Sequence, residues 1–390
     1  MKGKQILSAI AAVLALLLAA AMPALAEEKN DIVIGGSMPL TGPFAFAGIQ
    51  FNRGLRDYME WLNEQGGIEG RKVRYVAEDT GYEPDQSVAV FRRITSRENV
   101  SFYFGDSTAF HQTINRELDR RDIMMTGASF ASELNDTERY PLQFMHGPDY
   151  SEQVAILLRH IAEEDPGARV AFIYSDTEFG RDPISAGRET AEELGLEVAA
   201  RIVTPPGAAD ISSAALELRR ARPDYAIFHG YILAPIPDFI RRARQMGMET
   251  RFMGTYYSMD QSIIDEMGEA ADGFMGVMPY RYFYEEDAGE SELMRAIHER
   301  NDEYQTIYYI QAWVAGSMMA QIARETLARG EPLKGSRMRA SMEGLDEVDT
   351  GGVIGVPVRF RGNSLPVGRI YRADVEAGRM VPVSDWIDLD

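Results

Sequence analysis

Short runs of β-branched and aromatic residues alternate with longer amphipathic stretches along most of this 390-residue chain. The runs typical of strands lie at 32–34, 73–78, 101–104, 123–126, 170–174, 198–203, 225–229 and 251–254. Between them, apolar residues recur at helical spacing at 50–65, 85–97, 151–165, 181–194, 211–221, 235–246 and 291–328. Repeated strand–helix units of this kind predict an α/β fold built on parallel sheets.

The alternation divides into two doubly wound units rather than one. A first series ends near 144–149, and a similar series runs from 151 to about 271. A strand-like run at 273–279 then precedes helices that have no new series to join, so we expect the chain to return and complete the first unit. The predicted lobes are 27–147 with 277–356 and 148–276 with 357–390, joined by three hinge crossings at 144–149, 281–290 and 351–363.

The N-terminal segment is typical of a secretory signal peptide. Lys2 and Lys4 form a positive start, residues 6–21 form an apolar run, and Ala24 and Ala26 supply the small side chains of a cleavage site. The apolar run is shorter than the ~20 residues that a membrane-spanning helix needs. We expect cleavage after Ala26 and a soluble, exported mature protein.

Charge and cysteine content exclude several classes of protein. The formal net charge of -20 argues against a nucleic-acid or anionic membrane surface, because both require clustered Lys and Arg. The chain has no Cys, which excludes disulfide scaffolds, thiolate metal sites, cysteine nucleophiles and lipid attachment through a lipobox. We therefore expect no nucleic-acid partner and a freely diffusing protein without a lipid anchor.

Motifs for catalysis, cofactors and metals are scarce. None of the five histidines has the i, i+4 spacing of a metal-binding helix. The segments 105–109 and 127–131 each carry a Ser after a predicted strand, but both lack the final Gly of a nucleophile elbow. Phosphate-binding, dinucleotide and calcium-loop motifs are absent from the sequence. We expect no enzyme activity, no catalytic residue, no cofactor and no metal site.

The two loops at 105–109 and 127–131 favour ligand recognition instead. Each follows a strand of the first unit and should precede a helix, which directs hydroxyl and backbone N–H groups into the crevice at the carboxyl ends of the strands. Helix N-termini at this edge favour an anionic group such as a carboxylate. Ser or Thr in either loop would also serve as a plain helix cap. The equivalent positions of the two loops favour binding.

Three motifs in order carry a resemblance to a known family. They read DIVIGGSMPLTGP at 31–43, NEQGGIEGR at 63–71 and EDT at 78–80, the last followed by the helical stretch 84–90. The chain is similar in these motifs to the type I periplasmic solute-binding proteins of ABC importers, the leucine/isoleucine/valine-binding receptor family. Weaker matches follow in the expected order at 179–180, 243–247 and 252–254. The similarity covers essentially all of the mature chain.

The resemblance implies a fold and a first set of ligand contacts. The fold is of periplasmic binding protein type I, with two Rossmann-like lobes that close around a ligand in the interlobe cleft. Compared residue by residue, the hydroxyl that binds the ligand carboxylate is implied to be Ser107 or Thr108. The second loop is implied to place Ala128, Ser129 and Phe130 at the cleft.

The second lobe departs from the family pattern. Phe179 occupies a position where amino-acid binders have Tyr, and Tyr256 takes the place of the acidic residue that holds the ligand ammonium. A tyrosine hydroxyl cannot supply the charge that a buried ammonium needs. An aromatic-lined cleft is the implied alternative, with Phe46 and the further candidates Phe44, Phe110, Phe130, Phe179, Tyr256 and Tyr257.

Two ligand classes therefore stay open. Asp106, Glu178 or Asp260 could replace the missing acid, in which case the ligand is an amino acid. An aromatic or aliphatic carboxylate, or an amide, has no ammonium to satisfy and would need no such acid.

The resemblance, together with the signal peptide, implies a periplasmic substrate-binding component of an ABC importer of the branched-chain amino acid type. It would capture a small organic solute by cleft closure and deliver it to an ABC permease in the inner membrane. We expect a monomer. A sensory receptor of the same fold is not distinguished from a transport receptor by sequence, whereas an exported hydrolase would need a Ser and a nearby His at a recognisable spacing.

Overall fold

A computed structural model describes residues 31–205, 208, 210–285 and 291–389. Two β-sheets, each with helices packed against it, form the framework. The predicted signal peptide, 1–26, lies outside the described residues. Within the described segments, no helix combines the length and the apolar character needed to cross a bilayer.

The first sheet has the parallel strand order β2-β1-β3-β4. Its elements are β1 (Ile32–Met38), α1 (Ala45–Glu64), β2 (Val73–Asp79), α2 (Pro84–Arg97), β3 (Val100–Gly105), α3 (Thr108–Arg121) and β4 (Met124–Gly127). Every residue of β1 is buried, as expected for a parallel strand covered on both faces. The strand order reverses between β1 and β3, which leaves a crevice beyond their carboxyl ends.

The second sheet begins after a helix, α4 (Tyr150–Glu164). It continues through β5 (Arg169–Ser175), α5 (Glu178–Arg181), α6 (Ile184–Glu193), β6 (Glu197–Thr204), α7 (Ser212–Ala221), β7 (Tyr225–His229), α8 (Ile236–Gln245), β8 (Arg251–Gly254), α9 (Ser262–Met267) and β9 (Met275–Met278). Strands β5 to β9 are parallel, and the strand order reverses between β5 and β7. A second crevice therefore lies at the carboxyl ends of this sheet.

After β9 the chain returns to the first sheet, through α10 (Glu292–Arg300), α11 (Ile307–Ala328) and α12 (Gly335–Glu343). Helix α11 packs closely on α1. The two helices are so close that a Cβ added to Gly54 of α1 would lie only 2.7 Å from the Tyr309 carbonyl oxygen of α11. Sequence analysis predicts one helix over 291–328, and this is wrong. The helix ends at Arg300, and Thr306 starts a new one by accepting a hydrogen bond from the Tyr309 amide at 3.4 Å.

The last two strands, β10 (Val367–Asp374) and β11 (Arg379–Asp388), form an antiparallel hairpin that adds to β9. Sequence analysis predicts no strand in this region. The sequence feature that could have indicated the hairpin is the glycine in the turn between the strands, since Gly378 adopts a φ of 64° there. The doubly wound pattern therefore describes β5 to β9, and the hairpin extends the edge of that sheet.

The α/β fold class is confirmed, and each of the eight predicted strands overlaps one of β1 to β8. The chain passes between the sheets after β4, after β9 and before β10. The lobe boundaries given above stay a prediction.

Candidate functional site

Residues that follow strands of both sheets line a cavity between the two units. The first sheet and its helices contribute Pro39, Phe44, Ala47, Gly48, Phe51, Tyr82, Asp106, Ser107, Thr108 and Ala128, and the second unit contributes Tyr150, Phe179, Ile232 and Tyr257. The two crevices thus face each other across one space. A mostly apolar wall with a few polar groups is typical of a site for a small organic ligand.

The start of α3 forms one wall of the cavity. Ser107 is the N-cap residue, in extended conformation, and its hydroxyl accepts a hydrogen bond from the Phe110 amide at 3.3 Å. An α-helix leaves its first amides without partners in the helix, and its N-terminal end carries a partial positive charge. This wall can donate hydrogen bonds to an oxygen of a ligand.

The two loops predicted to bind ligand lie side by side. The Ala128 amide donates to the Gly105 carbonyl at 2.9 Å. A Cβ on Gly127 would lie 2.3 Å from that same carbonyl oxygen, so the loops approach this closely only with glycine there. The Thr108 and Ser129 hydroxyls are 2.8 Å apart and share a hydrogen bond.

Asp106 is the acid at the cavity wall, and it is 3% exposed. Its Oδ2 accepts hydrogen bonds from the hydroxyls of Thr80 and of Ser87, the latter at 2.7 Å. Its Oδ1 accepts one from the Ser107 hydroxyl at 3.0 Å. Burial raises the pKa of Asp106, and the three hydroxyl groups offset part of the rise. The carboxylate therefore ties together β2, α2 and α3.

Aromatic rings form most of the opposite wall. The Phe179 ring lies 5.0 Å from the Tyr150 ring, 4.9 Å from the His229 ring and 5.7 Å from the Tyr257 ring, measured between centroids. His229 holds the Phe179 backbone, since its Nε2 is 2.8 Å from the Phe179 carbonyl oxygen. This wall offers an apolar surface for the body of a ligand.

Tyr257 joins the two units across the cavity. Its hydroxyl donates to the Ala128 carbonyl of the first unit and accepts from Gln311 Nε2 of α11 at 3.0 Å. The Tyr308 hydroxyl of α11 also donates to the Tyr257 carbonyl at 3.2 Å. Tyr257 was among the aromatic candidates, but the sequence comparison placed its neighbour Tyr256 at the cleft.

Four of the eight predicted contacts line the cavity: Ser107, Thr108, Ala128 and Phe179. Ser129 lies just behind Thr108, to which its hydroxyl is bonded. Phe130 and Tyr256 are fully buried behind the wall, with ring centroids 6.0 Å apart.

Tyr256 and Phe46 lie apart from the lining residues. The Tyr256 hydroxyl donates to the Ile307 carbonyl at 2.9 Å, away from the cavity lining. Phe46 is 42% exposed on α1, with its ring 5.6 Å from that of Tyr308. Contact of these eight residues with a ligand stays a prediction.

The other two candidate acids do not line the cavity. Glu178 is exposed in the first turn of α5. Asp260 is buried, and it accepts hydrogen bonds from the Ser262 and Ile307 amides and from the Tyr304 hydroxyl. Of the three acids that could pair with an ammonium, only Asp106 is at the wall.

Buried histidines add no positive charge near the site. Burial lowers the pKa of His111 to about 4 and those of His146 and His229 to about 3, so all three are neutral at neutral pH. No Lys, Arg or His is among the described residues that line the cavity. Within the described ranges, no group of three His, Asp or Glu side chains is arranged to hold a metal ion.

A second contact between the units involves Asp182, which follows α5. Its carboxylate accepts hydrogen bonds from the Ser132 amide, at 3.0 Å, and from the Ser132 hydroxyl, at 2.5 Å. Burial raises the pKa of Asp182 to about 7, although these bonds to Ser132 favour the charged form.

The raised pKa of Asp182 predicts a pH dependence of stability. An unfolded Asp has a pKa of about 4. Between about pH 4 and pH 7 the folded chain holds a proton that the unfolded chain releases, so this group lowers the free energy of unfolding as the pH rises. The variant Asp182→Asn should lose this contribution, and its stability relative to the native chain should increase from pH 5 to pH 8.

Urea denaturation at several pH values measures this effect. Asp238→Asn is the matched control, because Asp238 is an exposed side chain of the same unit. A stability difference between Asp182→Asn and the native chain that stayed constant from pH 5 to pH 8 would contradict the prediction.

Known proteins are similar to this chain in sequence and in fold. A profile of the periplasmic binding proteins matches residues 31–379. The leucine-, isoleucine-, valine-, threonine-, and alanine-binding protein of Pseudomonas aeruginosa is 26% identical over 322 residues, which are 82% of this chain and 84% of that protein.

Solved structures superpose on most of the chain. A branched chain amino acid ABC transporter protein from Thermus thermophilus with bound valine has a TM-score of 0.83 at 22% identity, over 93% of this chain and 97% of that one. A fatty acid ABC transporter substrate-binding protein from Thermomonospora curvata has a TM-score of 0.79 at 17% identity, over 92% of each chain. These two likenesses show the fold.

Proposed function

The chain belongs to the periplasmic binding protein family, and from this membership we propose that it is the substrate-binding component of an ABC importer of the branched-chain amino acid type. It captures a small organic solute between its lobes and delivers it to a permease in the inner membrane. The ligand shifts an equilibrium between open and closed forms, and the closed form presents both lobes to the permease. No chemistry is performed on the ligand.

The observation that carries this proposal is a cavity that is lined by residues of both units, with hydrogen bonds between the units beside it. Closing such a space removes a bound solute from water, and opening it releases the solute. The amino-acid-binding relative from Pseudomonas aeruginosa supports the importer type.

The proposal includes the processing of the protein, its lobe boundaries and its ligand contacts. The signal peptide is cleaved after Ala26, and the mature protein acts in the periplasm as a monomer. The lobes are 27–147 with 277–356 and 148–276 with 357–390. Ligand contacts come from Ser107, Thr108, Ala128 and Phe179, with Ser129, Phe130, Tyr256 and Phe46 as supporting positions.

The test is a thermal-shift screen of mature protein that has been unfolded and refolded to remove co-purified ligand. The panel contains amino acids, amides, and aromatic and aliphatic carboxylates. A ligand at about 100 times its Kd adds about 2.7 kcal/mol of stability, which raises Tm measurably. Small-angle X-ray scattering should then show a smaller radius of gyration with the ligand. A panel without any shift would contradict the proposal.

The hydroxyl of Thr108 provides a further prediction. We expect Thr108→Ala to weaken the ligand found by the screen by about 1 kcal/mol, or roughly fivefold in Kd, because one hydrogen bond at the cavity wall is lost. Isothermal titration calorimetry measures the change. Thr113→Ala is the matched control on the same helix, since the exposed Thr113 hydroxyl donates to the Ala109 carbonyl of its own helix. Equal affinities of the two variants would mean that Thr108 does not contact the ligand.

A further inference from the structure

Asp106 lies at the wall of the cavity, beside the opening turn of α3. We infer that this carboxylate receives the ammonium group of an α-amino acid ligand, whose own carboxylate lies at the start of α3. The first unit then binds both charged groups of the ligand. This inference rests on the proposed function, since it says how the interlobe cavity holds its solute.

The hydrogen bonds among the described residues leave one acceptor position of the Asp106 carboxylate for a ligand. A carboxylate has about four such positions, two on each oxygen. Thr80 and Ser87 occupy both positions of Oδ2, and Ser107 occupies one of Oδ1. The second position of Oδ1 fits one N–H group of an ammonium.

The described partners of this buried acid are neutral. All three donors are hydroxyl groups, and no Lys, Arg or His is among the described residues that line the cavity. Burial raises the pKa of Asp106, so the hydroxyl groups offset only part of the cost of its charge. A cation at the wall would offset the rest, and an ammonium group is a cation that a small solute can bring.

The place of Asp106 in the chain fits the geometry of an α-amino acid. A single carbon separates the ammonium from the carboxylate in such a ligand, so the groups that bind them must be neighbours. Asp106 directly precedes Ser107, the N-cap of α3, and Thr108 is the first residue of that helix. The acid for the ammonium and the helix end for the carboxylate are therefore adjacent.

The ligand carboxylate also has partners in this arrangement. The opening amides of α3 and the partial positive charge of its N-terminus favour an anion, and Thr108 lies at the same wall. The ammonium lies between the ligand carboxylate and Asp106, so each negative group has a positive neighbour. The described wall can thus hold a zwitterion without Lys or Arg.

Tyr82 can accept a second hydrogen bond from the ammonium. It lines the cavity. Burial raises the pKa of its phenol, and the nearby Tyr150 and Asp106 side chains raise it further. The phenol oxygen of Tyr82 is therefore close to Asp106, and such an oxygen accepts hydrogen bonds.

The second unit is left to contact the side chain of the ligand. Tyr256, at the position that the sequence comparison assigns to an acid, is buried behind the wall, and its hydroxyl donates to the Ile307 carbonyl. The residues of the second unit that line the cavity carry no charge: Tyr150, Phe179, Ile232 and Tyr257. They offer an apolar surface to a ligand whose charged groups lie on the first unit.

Pairs of compounds that differ only in the amino group test the inference on the native chain. The standard L-amino acids are screened by thermal shift, and the tightest ligand is compared by calorimetry with its deaminated acid, as L-leucine with 4-methylpentanoate. We expect the amino acid to bind at least about tenfold more tightly, because the deaminated acid brings a second carboxylate beside Asp106 without an ammonium between them. A smaller difference, or tighter binding of the deaminated acid, would overturn the inference.

The variant Asp106→Asn tests the residue itself. Asn keeps the shape of the side chain and removes the charge, and circular dichroism checks that the variant is folded. We expect at least about 30-fold weaker binding of the amino acid, with unchanged or tighter binding of the deaminated acid. Unchanged affinity for the amino acid, or an equal loss for both compounds, would overturn the inference, since an equal loss would mean that Asp106 acts only through the fold.

Asp260→Asn and Glu178→Gln are the matched controls, because these are the other two candidate acids and neither lines the cavity. We expect both to keep the native preference for the amino acid over its deaminated acid. A larger loss of this preference in either control than in Asp106→Asn would assign the ammonium to that acid and overturn the inference.

Failure of the inference is distinguishable from failure of the proposed function. If no amino acid binds and the broad screen finds another solute, the inference is overturned and the proposed function stands. A broad screen in which no compound binds would contradict both.

Discussion

Replacing Asp106 with Ala should lower the free energy of unfolding by about 3 kcal/mol. The carboxylate accepts hydrogen bonds from Thr80, Ser87 and Ser107, and all four residues are buried. The variant leaves these hydroxyls without their shared acceptor, and each buried unsatisfied group costs about 1–3 kcal/mol before the structure relaxes. Because Ser107 also caps α3, the variant should loosen the first turn of that helix as well.

Urea denaturation at pH 7 measures the loss, and Asp106→Asn is the matched control. Asn keeps the shape of the side chain and one acceptor oxygen. It also removes the buried negative charge, which burial disfavours, as the raised pKa of Asp106 indicates. We expect the Asn variant to lie within about 1 kcal/mol of the native chain. Equal and large losses in both variants would show that the negative charge, rather than the hydrogen-bond network, stabilises this edge of the sheet.

Replacing Tyr257 with Phe should weaken ligand binding by about 2 kcal/mol, or roughly 30-fold in Kd. The hydroxyl joins the units by donating to the Ala128 carbonyl and accepting from Gln311. Without it, the Gln311 side chain is buried with neither polar atom bonded, because its Oε1 has no partner among the described residues. The variant therefore destabilises the closed form, whereas the open form does not depend on these contacts.

Calorimetry measures the affinity, and scattering measures the fraction of closed molecules. The matched control is Tyr231→Phe, since the Tyr231 hydroxyl bonds Thr204 at 2.7 Å within the second unit alone. We expect the control to lower stability without a change in the closing equilibrium. Weaker binding in the control by the same factor would mean that the effect of Tyr257 comes from general destabilisation.

Local sequence patterns were sufficient to predict the parallel strands and the loops that follow them. The glycines at 105 and 127 and the hydroxyl residues beside them predicted a recognition edge, and the structure places the two loops in direct contact. Ser107, Thr108, Ala128 and Phe179 all lie at the cavity wall. Such residues directly follow strands, so their place at the carboxyl edge depends only on the strand assignment.

Sequence patterns did not show which of Tyr256 and Tyr257 lines the cavity. Both lie in a short 3-10 helix after β8, where neighbouring side chains point in different directions. Tyr257 faces the cavity, whereas Tyr256 is buried against α11. A shift of one position in the comparison of such a segment exchanges the two tyrosines.

Sequence alone determined the alternation of strands and helices over most of the chain, and the family. These properties depend on periodicity, composition and short motifs, which are local. Tertiary structure decided that Asp106 accepts hydrogen bonds from three hydroxyl groups, that Tyr257 links the two units, and that the last strands extend the second sheet. Each of these depends on contacts between residues far apart in the chain, and hydrogen-bond partners across such distances are set by packing rather than by spacing in the sequence.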